Sequence, residues 1–582
     1  MYDDEQALVG PHAWKERTLV DLVRFRHLTK GESPIFLFLG DGETVTQTLS
    51  AAELHRQASR ASAHLARTLS PQSRVLLLFE NGIDYIVGFF SCLYAGLTPI
   101  SGLYPSAIGA AERFAFILRD SNADAVLGLK ATLHLFHQEA ESPSALKWIP
   151  LESALKSARS IDPVETGSEH LALIQYTSGS TENPKGVCLT HRNICHNIHA
   201  QLISFQYQDD DTGLSWLPFT HDMGLVGAVL PALAAGNPFY FMAPDKFIEK
   251  PSRWLEAISR YGATISGGPD FAYRYCARLP PHEISPHWDF SRWTIAFNGS
   301  ESISPNTLEH FHSKFEAQGF CKTAFFPCYG LAENALLVTS GLKGEGVRLV
   351  AFDRTALSRG RAECARQPEN DAAIFLASCG APHEDQKIHI VDPETQRFLS
   401  QGLIGEIWIS SPSVGVGYLN DENRTAQSFI ERNGIRYLRT QDFGFEYEGD
   451  LFHVGRMSEK FSFNGSTYYT NDISLSLGQA CNGALCVVVP PLLPERNAPC
   501  LIVEHDSAND ATAIRPILFE TMKRYGITEF TYYVIRRGYV IRTPSGKIRA
   551  DLTLENILAE KSSILKTGDT RSPVATGLDQ MI

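Results

Sequence analysis

Small hydroxyl side chains, glycines and one lysine are concentrated in a single stretch, residues 176–187, which reads YTSGSTENPKGV. Its candidate phosphate-binding residues are Thr177, Ser178, Gly179, Ser180, Thr181 and Lys185. A polyphosphate needs many short donors and a close backbone approach, which hydroxyls and glycines provide, and the lysine adds a positive charge. The stretch is not a Walker A loop, because the chain contains no G-x-x-x-x-G-K-[ST] match. On composition alone, an ordinary polar turn is the stronger explanation.

Further groups that could do chemistry follow in the chain. His221 and Asp222 end an apolar run, and ligands of open α/β sheets bind beyond the carboxyl ends of strands. A helix-capping role would explain Asp222 more simply. Tyr329 could stack on a purine, Gly330 permits close approach, and Glu333 could hold Mg²⁺ against phosphate oxygens. Taken alone these residues are a weak signal, because a glutamate in a first helical turn is common.

Apolar segments must position these groups. Residues 171–175 and 187–190 are short and apolar, which predicts that the hydroxyl-rich stretch is a loop between two strands. Upstream, residues 74–79 are typical of a buried strand, 85–97 of a buried helix and 110–121 of a further helix. This alternation of strands and helices predicts an α/β fold with a parallel sheet.

Length and charge limit the class of protein. A chain of 582 residues is too long for one core, so at least two domains are expected. The net charge of −13 argues against nonspecific binding to nucleic acid or anionic membranes. The 11 cysteines form no C-x-x-C pair, and no targeting signal or membrane-spanning segment is evident, which favours a cytoplasmic enzyme. Residues 561–582 are polar and are predicted to be a disordered tail.

The order of the motifs resembles that of the adenylate-forming superfamily, which includes acyl-CoA synthetases, peptide-synthetase adenylation domains, luciferases and fatty acyl-AMP ligases. Residues 177–186 are similar to T-S-G-S-T-G-x-P-K-G, with Glu182 where glycine is usual. Residues 329–333 are similar to Y-G-x-[ST]-E, and residues 298–301 to N-G-[AS]-E. Residues 437–444 resemble [YW]-x-x-T-G-D-x-G, with Gln441 in place of glycine and Asp442 read as part of a tight turn. The resemblance extends from about residue 36 to 549.

Three features resemble the fatty acyl-AMP ligases in particular. Residues 216–224 match W-L-P-x-x-H-D-M-G throughout, and residues 267–273 match G-G-P-x-F-A-Y at the mouth of the acyl tunnel. The resemblance implies that the acyl group contacts His221, Asp222, Gly268, Pro269 and Phe271. Residues 341–378 correspond to an insertion, which in that family hinders the domain rotation that CoA transfer requires.

The resemblance also implies an architecture and a set of ATP-binding residues. The fold would be α/β, with a large N-terminal domain, about 1–455, of two α/β subdomains plus a small β-barrel. A small α+β C-terminal lid domain would span about 456–560. The implied ATP-binding residues are Thr177, Ser178, Gly179, Ser180, Thr181, Lys185, Asn298, Gly299, Ser300, Glu301, Tyr329, Gly330, Leu331, Ala332, Asp442 and Arg456. The implied catalytic residues are Lys547, on a glycine-containing turn of the lid, His221, and Glu333 as the Mg²⁺ ligand.

The implied function is activation of a fatty acid by ATP and Mg²⁺ to an acyl-adenylate and pyrophosphate. The acyl group would then pass to the phosphopantetheine thiol of an acyl carrier protein, in lipid, polyketide or lipopeptide assembly. An acyl-CoA synthetase, an amino-acid adenylation domain and a non-catalytic acyl-adenylate binding protein remain alternatives. Chain length, the carrier partner and the choice between monomer and dimer are left open.

Overall fold

The computed structural model describes residues 17–103, 105–106, 110–139, 145–177, 184–368, 372–383, 385–463, 466–481, 484–491, 498–505, 508–542, 548–559 and 561–569. Within these ranges, no helix is both long and apolar enough to cross a membrane.

Strands and helices alternate through most of the chain up to residue 382. The strands are β1 Pro34–Leu39, β2 Val45–Ser50, β3 Arg74–Leu78, β4 Thr98–Ser101, β5 Ala125–Gly128, β6 Lys147–Pro150, β7 Leu171–Tyr176, β8 Gly186–Thr190, β9 Gly213–Ser215, β10 Phe239–Met242, β11 Ile265–Gly268, β12 Ile295–Asn298, β13 Phe325–Gly330, β14 Leu337–Ser340, β15 Leu349–Asp353, β16 Ala373–Ala377 and β17 Ala381–Pro382. The helices are α1 Leu19–Lys30, α2 Ala51–Thr68, α3 Ile83–Tyr94, α4 Ala110–Ser121, α5 Lys130–Glu139, α6 Leu151–Ala154, α7 His191–Ser204, α8 Asp222–Gly224, α9 Leu230–Ala235, α10 Pro244–Glu249, α11 Ser252–Tyr261, α12 Asp270–Ala277, α13 Pro305–Phe315 and α14 Arg354–Ser358. A π-helical turn, Leu225–Val229, joins α8 to α9.

The remaining elements are mostly antiparallel strands and a few helices. The strands are β18 Lys387–Val391, β19 Gly405–Ser410, β20 Gly417–Tyr418, β21 Phe429–Arg432, β22 Ile435–Tyr447, β23 Asp450–Arg456, β24 Lys460–Phe463, β25 Ser466–Tyr469, β26 Cys486–Val489, β27 Cys500–His505, β28 Thr531–Arg536 and β29 Ile564–Asp569. The helices are α15 Glu422–Ser428, α16 Thr470–Ala480, α17 Ala508–Arg524 and α18 Ala550–Ala559.

Two large sheets dominate the first part of the molecule. One has the order β17-β14-β13-β12-β11-β9-β10-β1-β2, and the other β20-β8-β7-β4-β3-β5-β6. Their inner strands pair in parallel, as β3 does with β4 and β5. One continuous core joins apolar residues of both sheets to those of helices α1, α2, α3, α7 and α9. The predicted parallel α/β architecture is therefore confirmed.

Local sequence signals explain the helices next to the core. Helix α2 begins at Ala51, because the Ser50 hydroxyl accepts a 3.0 Å hydrogen bond from the backbone N–H of Glu53. Helix α3 is apolar on nearly every face, and it is buried along almost its whole length. The two strands predicted around the hydroxyl-rich stretch are confirmed, since β7 and β8 pair antiparallel with Tyr176 opposite Gly186, whereas residues 178–183 lie outside the described residues.

Two smaller units complete the fold. Strands β18, β19, β22, β21 and β23 form an antiparallel sheet where the small barrel was predicted. Strands β26 to β29 form a four-stranded sheet, and α16 and α17 share its apolar core, as expected for a small α+β unit. Within the region read as an insertion, β15 and β16 form an antiparallel pair, with α14 between them in the chain.

Two expectations are wrong. Residues 564–569 are not a disordered tail, because they form strand β29, which pairs antiparallel with β28 and places Asp569 opposite Thr531. Backbone hydrogen bonds to β28 order this segment despite its polar composition. Asp442 does not lie in a tight turn but inside the 13-residue strand β22. The preceding Gln441 has φ of 61°, a left-handed conformation that glycine adopts at less cost, which accounts for the glycine at this position of the motif that the segment resembles.

Candidate active site

A cavity of about 510 Å³ lies where the large sheets, the β15–β16 region and the C-terminal unit meet. Most of the described residues that were predicted to form the site line it. These are Thr177, His221, Asp222, Gly299, Ser300, Glu301, Tyr329, Gly330, Leu331, Ala332, Glu333, Asp442 and Arg456. The carboxyl ends of β12 and β13 supply several of them, in accord with ligand binding at strand ends in open α/β sheets.

A buried carboxylate forms one polar end of the cavity. The Tyr329 hydroxyl donates a 2.8 Å hydrogen bond to Oδ2 of Asp442. Oδ1 of Asp442 lies 3.2 Å from Nε of Arg456 and accepts no hydrogen bond. The charge of Asp442 raises the pKa of Arg456, whereas burial raises the pKa of Tyr329 and keeps its phenol protonated. The site therefore offers a charged acceptor to a ligand hydroxyl.

The segment after β12 presents further unpaired polar atoms. Oδ1 of Asn298 and Oγ of Ser300 are buried and have no hydrogen-bond partner. Asn298 itself does not line the cavity, and its amide nitrogen lies 3.4 Å from Oδ1 of Asp270. A side chain at Gly299 would bring its Cβ within 2.8 Å of the Cys328 carbonyl oxygen, so the backbone fits only without one. Of Asn298 and Ser300, only Ser300 lines the cavity, and its Oγ can pair with the polar edge of a base, because buried polar groups are normally paired.

A second acidic residue lies beside the ends of the hydroxyl-rich loop. Oε1 of Glu333 accepts a 2.8 Å hydrogen bond from the hydroxyl of Tyr418. The ammonium group of Lys185 lies 5.7 Å from the centre of the Tyr418 ring. Across the base of the loop, the N–H of Thr177 donates to the Lys185 carbonyl at 3.0 Å. The loop therefore begins and ends next to a carboxylate that can coordinate a cation.

The predicted acyl residues fall into two groups. Nδ1 of His221 lies 2.6 Å from Oδ1 of Asp222 and accepts a 3.3 Å hydrogen bond from the backbone N–H of Met223. With Nδ1 as an acceptor, Nε2 carries the hydrogen that a substrate carboxylate can accept. Both residues line the cavity, whereas Gly268, Pro269 and Phe271 do not. The Phe271 side chain is instead buried in the neighbouring core, and its backbone N–H donates to Oε1 of Glu301 at 2.5 Å.

Several predictions fall outside the described residues. Ser178, Gly179, Ser180 and Thr181 are among them, and so are Glu182 and Lys547. The described residues on either side of the Lys547 segment, Arg542 and Ile548, pair with each other in an isolated antiparallel bridge. The Arg542 guanidinium lies 5.2 Å from the centre of the Phe271 ring. Both ends of this segment are thus held near the large domain.

Sequence reasoning gave no role to three residues that shape the cavity. The His453 ring stacks on Tyr329 with centroids 5.9 Å apart, and burial lowers its pKa. Tyr418 orients Glu333, although only the G-Y dipeptide after residue 416 marks it in the sequence. Arg354, from α14, contacts the C-terminal unit. No local pattern distinguishes His453 or Arg354, because their partners are distant in the chain.

Arg354 joins the β15–β16 region to the C-terminal unit. Its guanidinium donates to Oγ of Ser476 at 3.0 Å and to the hydroxyl of Tyr525. It also lies 3.6 Å from Oδ1 of Asp472 and 4.9 Å from the centre of the Tyr525 ring. This buried cluster fixes the orientation of α16 relative to the cavity.

The chain is similar over most of its length to known proteins. Residues 29–419 match the family of AMP-binding enzymes. The chain is 32% identical to the medium-chain-fatty-acid–[acyl-carrier-protein] ligase JamA of Moorena producens, over 91% of this chain and 93% of that protein. It is 32% identical to the long-chain-fatty-acid–AMP ligase FadD32 of Mycolicibacterium smegmatis, over 78% of this chain and 76% of that one.

A solved structure extends the similarity to the whole fold. The fatty acid AMP ligase from Legionella pneumophila aligns with a TM-score of 0.74 and 31% identity, covering 98% of this chain and 100% of that one. With the sequence matches, this shows that the chain belongs to the AMP-binding enzyme family and, within it, to the fatty acyl-AMP ligases.

Proposed function

We propose that this protein joins a fatty acid to AMP, using ATP and releasing pyrophosphate, and then delivers the acyl group to a carrier protein. One observation carries the proposal. A single cavity connects a polar end, with Asp442 and Arg456, to an apolar end lined by Phe205, Met223 and Phe297. A nucleotide and an acyl chain can therefore meet in one cavity, as formation of a mixed anhydride requires.

The polar end fits the nucleotide. Asp442 would accept the ribose hydroxyls through its unpaired Oδ1, and Arg456 would lie beside the ribose or the phosphates. Ser300 would face the edge of the adenine, with the Tyr329 ring alongside it. The triphosphate would rest against the hydroxyl-rich loop between Thr177 and Lys185.

Glu333 would hold Mg²⁺. Its Oε1 is oriented by Tyr418 at the edge of the cavity, and Mg²⁺ is usually held by one or two carboxylates together with substrate phosphates. When bound, the ion would neutralise part of the charge on the phosphate oxygens. The residues present therefore fit the metal.

The reaction needs no protein nucleophile, because the fatty carboxylate is itself the attacking group. His221 would orient that carboxylate by donating its Nε2–H to it, while Nδ1 accepts from the backbone N–H of Met223. A carboxylate oxygen would bond to the α-phosphorus as the bond to pyrophosphate breaks. Lys547 would stabilise the negative charge that builds there.

The second step and the domain movement follow from the same proposal. We assign residues 1–455 to the catalytic domain, 456–560 to a mobile lid and 341–378 to an insertion that restrains it, supported by the contacts of Arg354. The thiol of a carrier's phosphopantetheine arm would attack the acyl carbonyl and release AMP.

We expect the reaction to take place in the cytoplasm, where the 11 free cysteines would stay reduced.

The experiment is to incubate the protein with ATP, Mg²⁺ and a series of fatty acids and to detect acyl-adenylate by mass spectrometry. CoA and a holo carrier protein are then added in separate reactions. The proposal expects adenylate in the first reaction and acyl transfer only to the carrier. Rapid acyl-CoA formation would contradict the carrier assignment, and no adenylate from any acid would contradict catalysis.

A further inference from the structure

One polar side chain stands in the apolar end of the cavity. Gln201, on helix α7, is 2% exposed and lines the cavity. The other residues around this end are apolar or lack a side chain: Phe205, Met223, Gly227, Phe297, Leu336 and Leu337. A buried amide among such neighbours needs hydrogen-bond partners, because leaving one of its atoms unpaired is costly.

The orientation of the Gln201 amide is fixed by its partners. Its nitrogen donates two hydrogen bonds of 3.0 Å, one to Oδ1 of Asn197 and one to the backbone carbonyl of Val226. Oδ1 of Asn197 must act as an acceptor, because it also receives the backbone N–H of Leu337 at 3.0 Å. Both partners of Gln201 therefore accept, and a flipped amide would set oxygen against oxygen. Oε1 is therefore the amide atom of Gln201 that can accept a hydrogen bond from a ligand in the cavity.

Close packing holds Gln201 next to the acyl end. Val226, its backbone partner, belongs to the π-helical turn that directly follows the His221 segment. A Cβ at Gly227 would lie 2.7 Å from Cδ2 of Leu336 and 3.6 Å from Cγ of Met223, so these three residues adjoin. The Gln201 oxygen is thus a single acceptor on a largely apolar wall, and π-helical turns are frequent at functional sites.

We propose that Gln201 recognises a hydroxyl group on the acyl chain, so that the preferred acid is a hydroxylated fatty acid. The inference rests on the fatty acid–AMP ligase activity proposed above. A hydroxyl hydrogen would be donated to Oε1, which pairs both groups beside the apolar side chains of the cavity. An unsubstituted chain leaves Oε1 unpaired or requires a trapped water molecule.

The test measures kcat/KM for adenylate formation by the wild-type protein with straight-chain acids and with hydroxy acids of equal length. The hydroxyl is moved along the chain from one acid to the next, and a hydroxyphenyl acid with its phenyl parent separates phenolic from aliphatic donors. At least one hydroxy acid should exceed its parent roughly tenfold, the value of one additional buried hydrogen bond. The proposal is overturned if every hydroxy acid equals or falls below its parent.

Gln201→Met removes the acceptor and keeps the side-chain volume, and Gln57→Met makes the same change on helix α2, away from the cavity. The Gln201 variant should lose the preference for the hydroxy acid, whereas the Gln57 variant should keep it. Retention of the preference in a folded Gln201 variant would overturn the proposal. If that variant does not fold, the wild-type comparison decides. Absence of adenylate from every acid would overturn the ligase activity as well.

Discussion

The Tyr329 hydroxyl donates a 2.8 Å hydrogen bond to Oδ2 of Asp442, a residue 113 positions further along the chain. Tyr329 ends a strand of the large sheet, and Asp442 lies in the antiparallel sheet that follows it. The bond leaves Oδ1 of the carboxylate unpaired and next to Arg456. Two separate sheets thus join to form one carboxylate acceptor in the cavity, which we propose binds the nucleotide.

Tyr329→Phe should raise KM for ATP by roughly tenfold, because a hydrogen bond to a buried charge contributes about 1.5–3 kcal/mol. The KM for the fatty acid should change much less. Initial rates at varied ATP measure this. Tyr261→Phe is the control, since it removes a hydrogen bond of similar length, 2.9 Å to the Glu43 carbonyl, away from the cavity. Equal ATP KM values in wild type and Tyr329→Phe would show that the bond does not organise the nucleotide site.

The sequence predicted local elements well and long-range contacts poorly. Helix α4 and the strands around the hydroxyl-rich loop follow from short patterns, since propensity and burial are local. The pairing of β29 and the stacking of His453 on Tyr329 were missed. Both depend on partners that are brought together only by the complete fold, so no window of sequence contains the signal.

Lys547→Ala should lower the rate of adenylate formation by roughly a hundredfold, the usual loss when one group that stabilises transition-state charge is removed. Acyl transfer from added, preformed acyl-adenylate to the carrier should be much less affected. Lys523→Ala, an exposed lysine at the end of helix α17, is the matched control. An unchanged rate of adenylate formation would show that Lys547 does not act at the α-phosphate.

Arg354→Ala should loosen the C-terminal unit, because it removes the contacts with Ser476 and Tyr525 and leaves Asp472 without that cation. Hydrogen exchange measured by mass spectrometry should be at least several-fold faster across α16 and the end of α17. Arg359→Ala, an exposed residue just after α14, serves as the control. If both variants exchange like the wild type, Arg354 does not hold the unit in place.

Stability should fall in weak acid because of His191. Burial lowers its pKa to about 4, and its Nδ1 accepts a 3.1 Å hydrogen bond from the backbone N–H of Leu19. The unfolded state gains the proton near pH 6.5 and the folded state does not, so stability is lost as pH falls from 6.5 toward 4.

The variant His191→Gln keeps an acceptor for Leu19 but does not titrate. Between pH 7 and pH 5 the wild type should lose about 2 kcal/mol more stability than this variant. Thermal denaturation at the two pH values measures the difference. Parallel decreases in both proteins would show that His191 is not the cause.

The most direct test follows oxygen from the fatty acid carboxylate. The acid is labelled with ¹⁸O in both carboxylate oxygens and incubated with ATP, Mg²⁺, the protein and a holo carrier protein. Attack on the α-phosphorus followed by thiol transfer predicts one ¹⁸O in the released AMP and none in pyrophosphate. Release of ADP and of orthophosphate that carries the label would contradict the account, since it would place the attack on the γ-phosphorus.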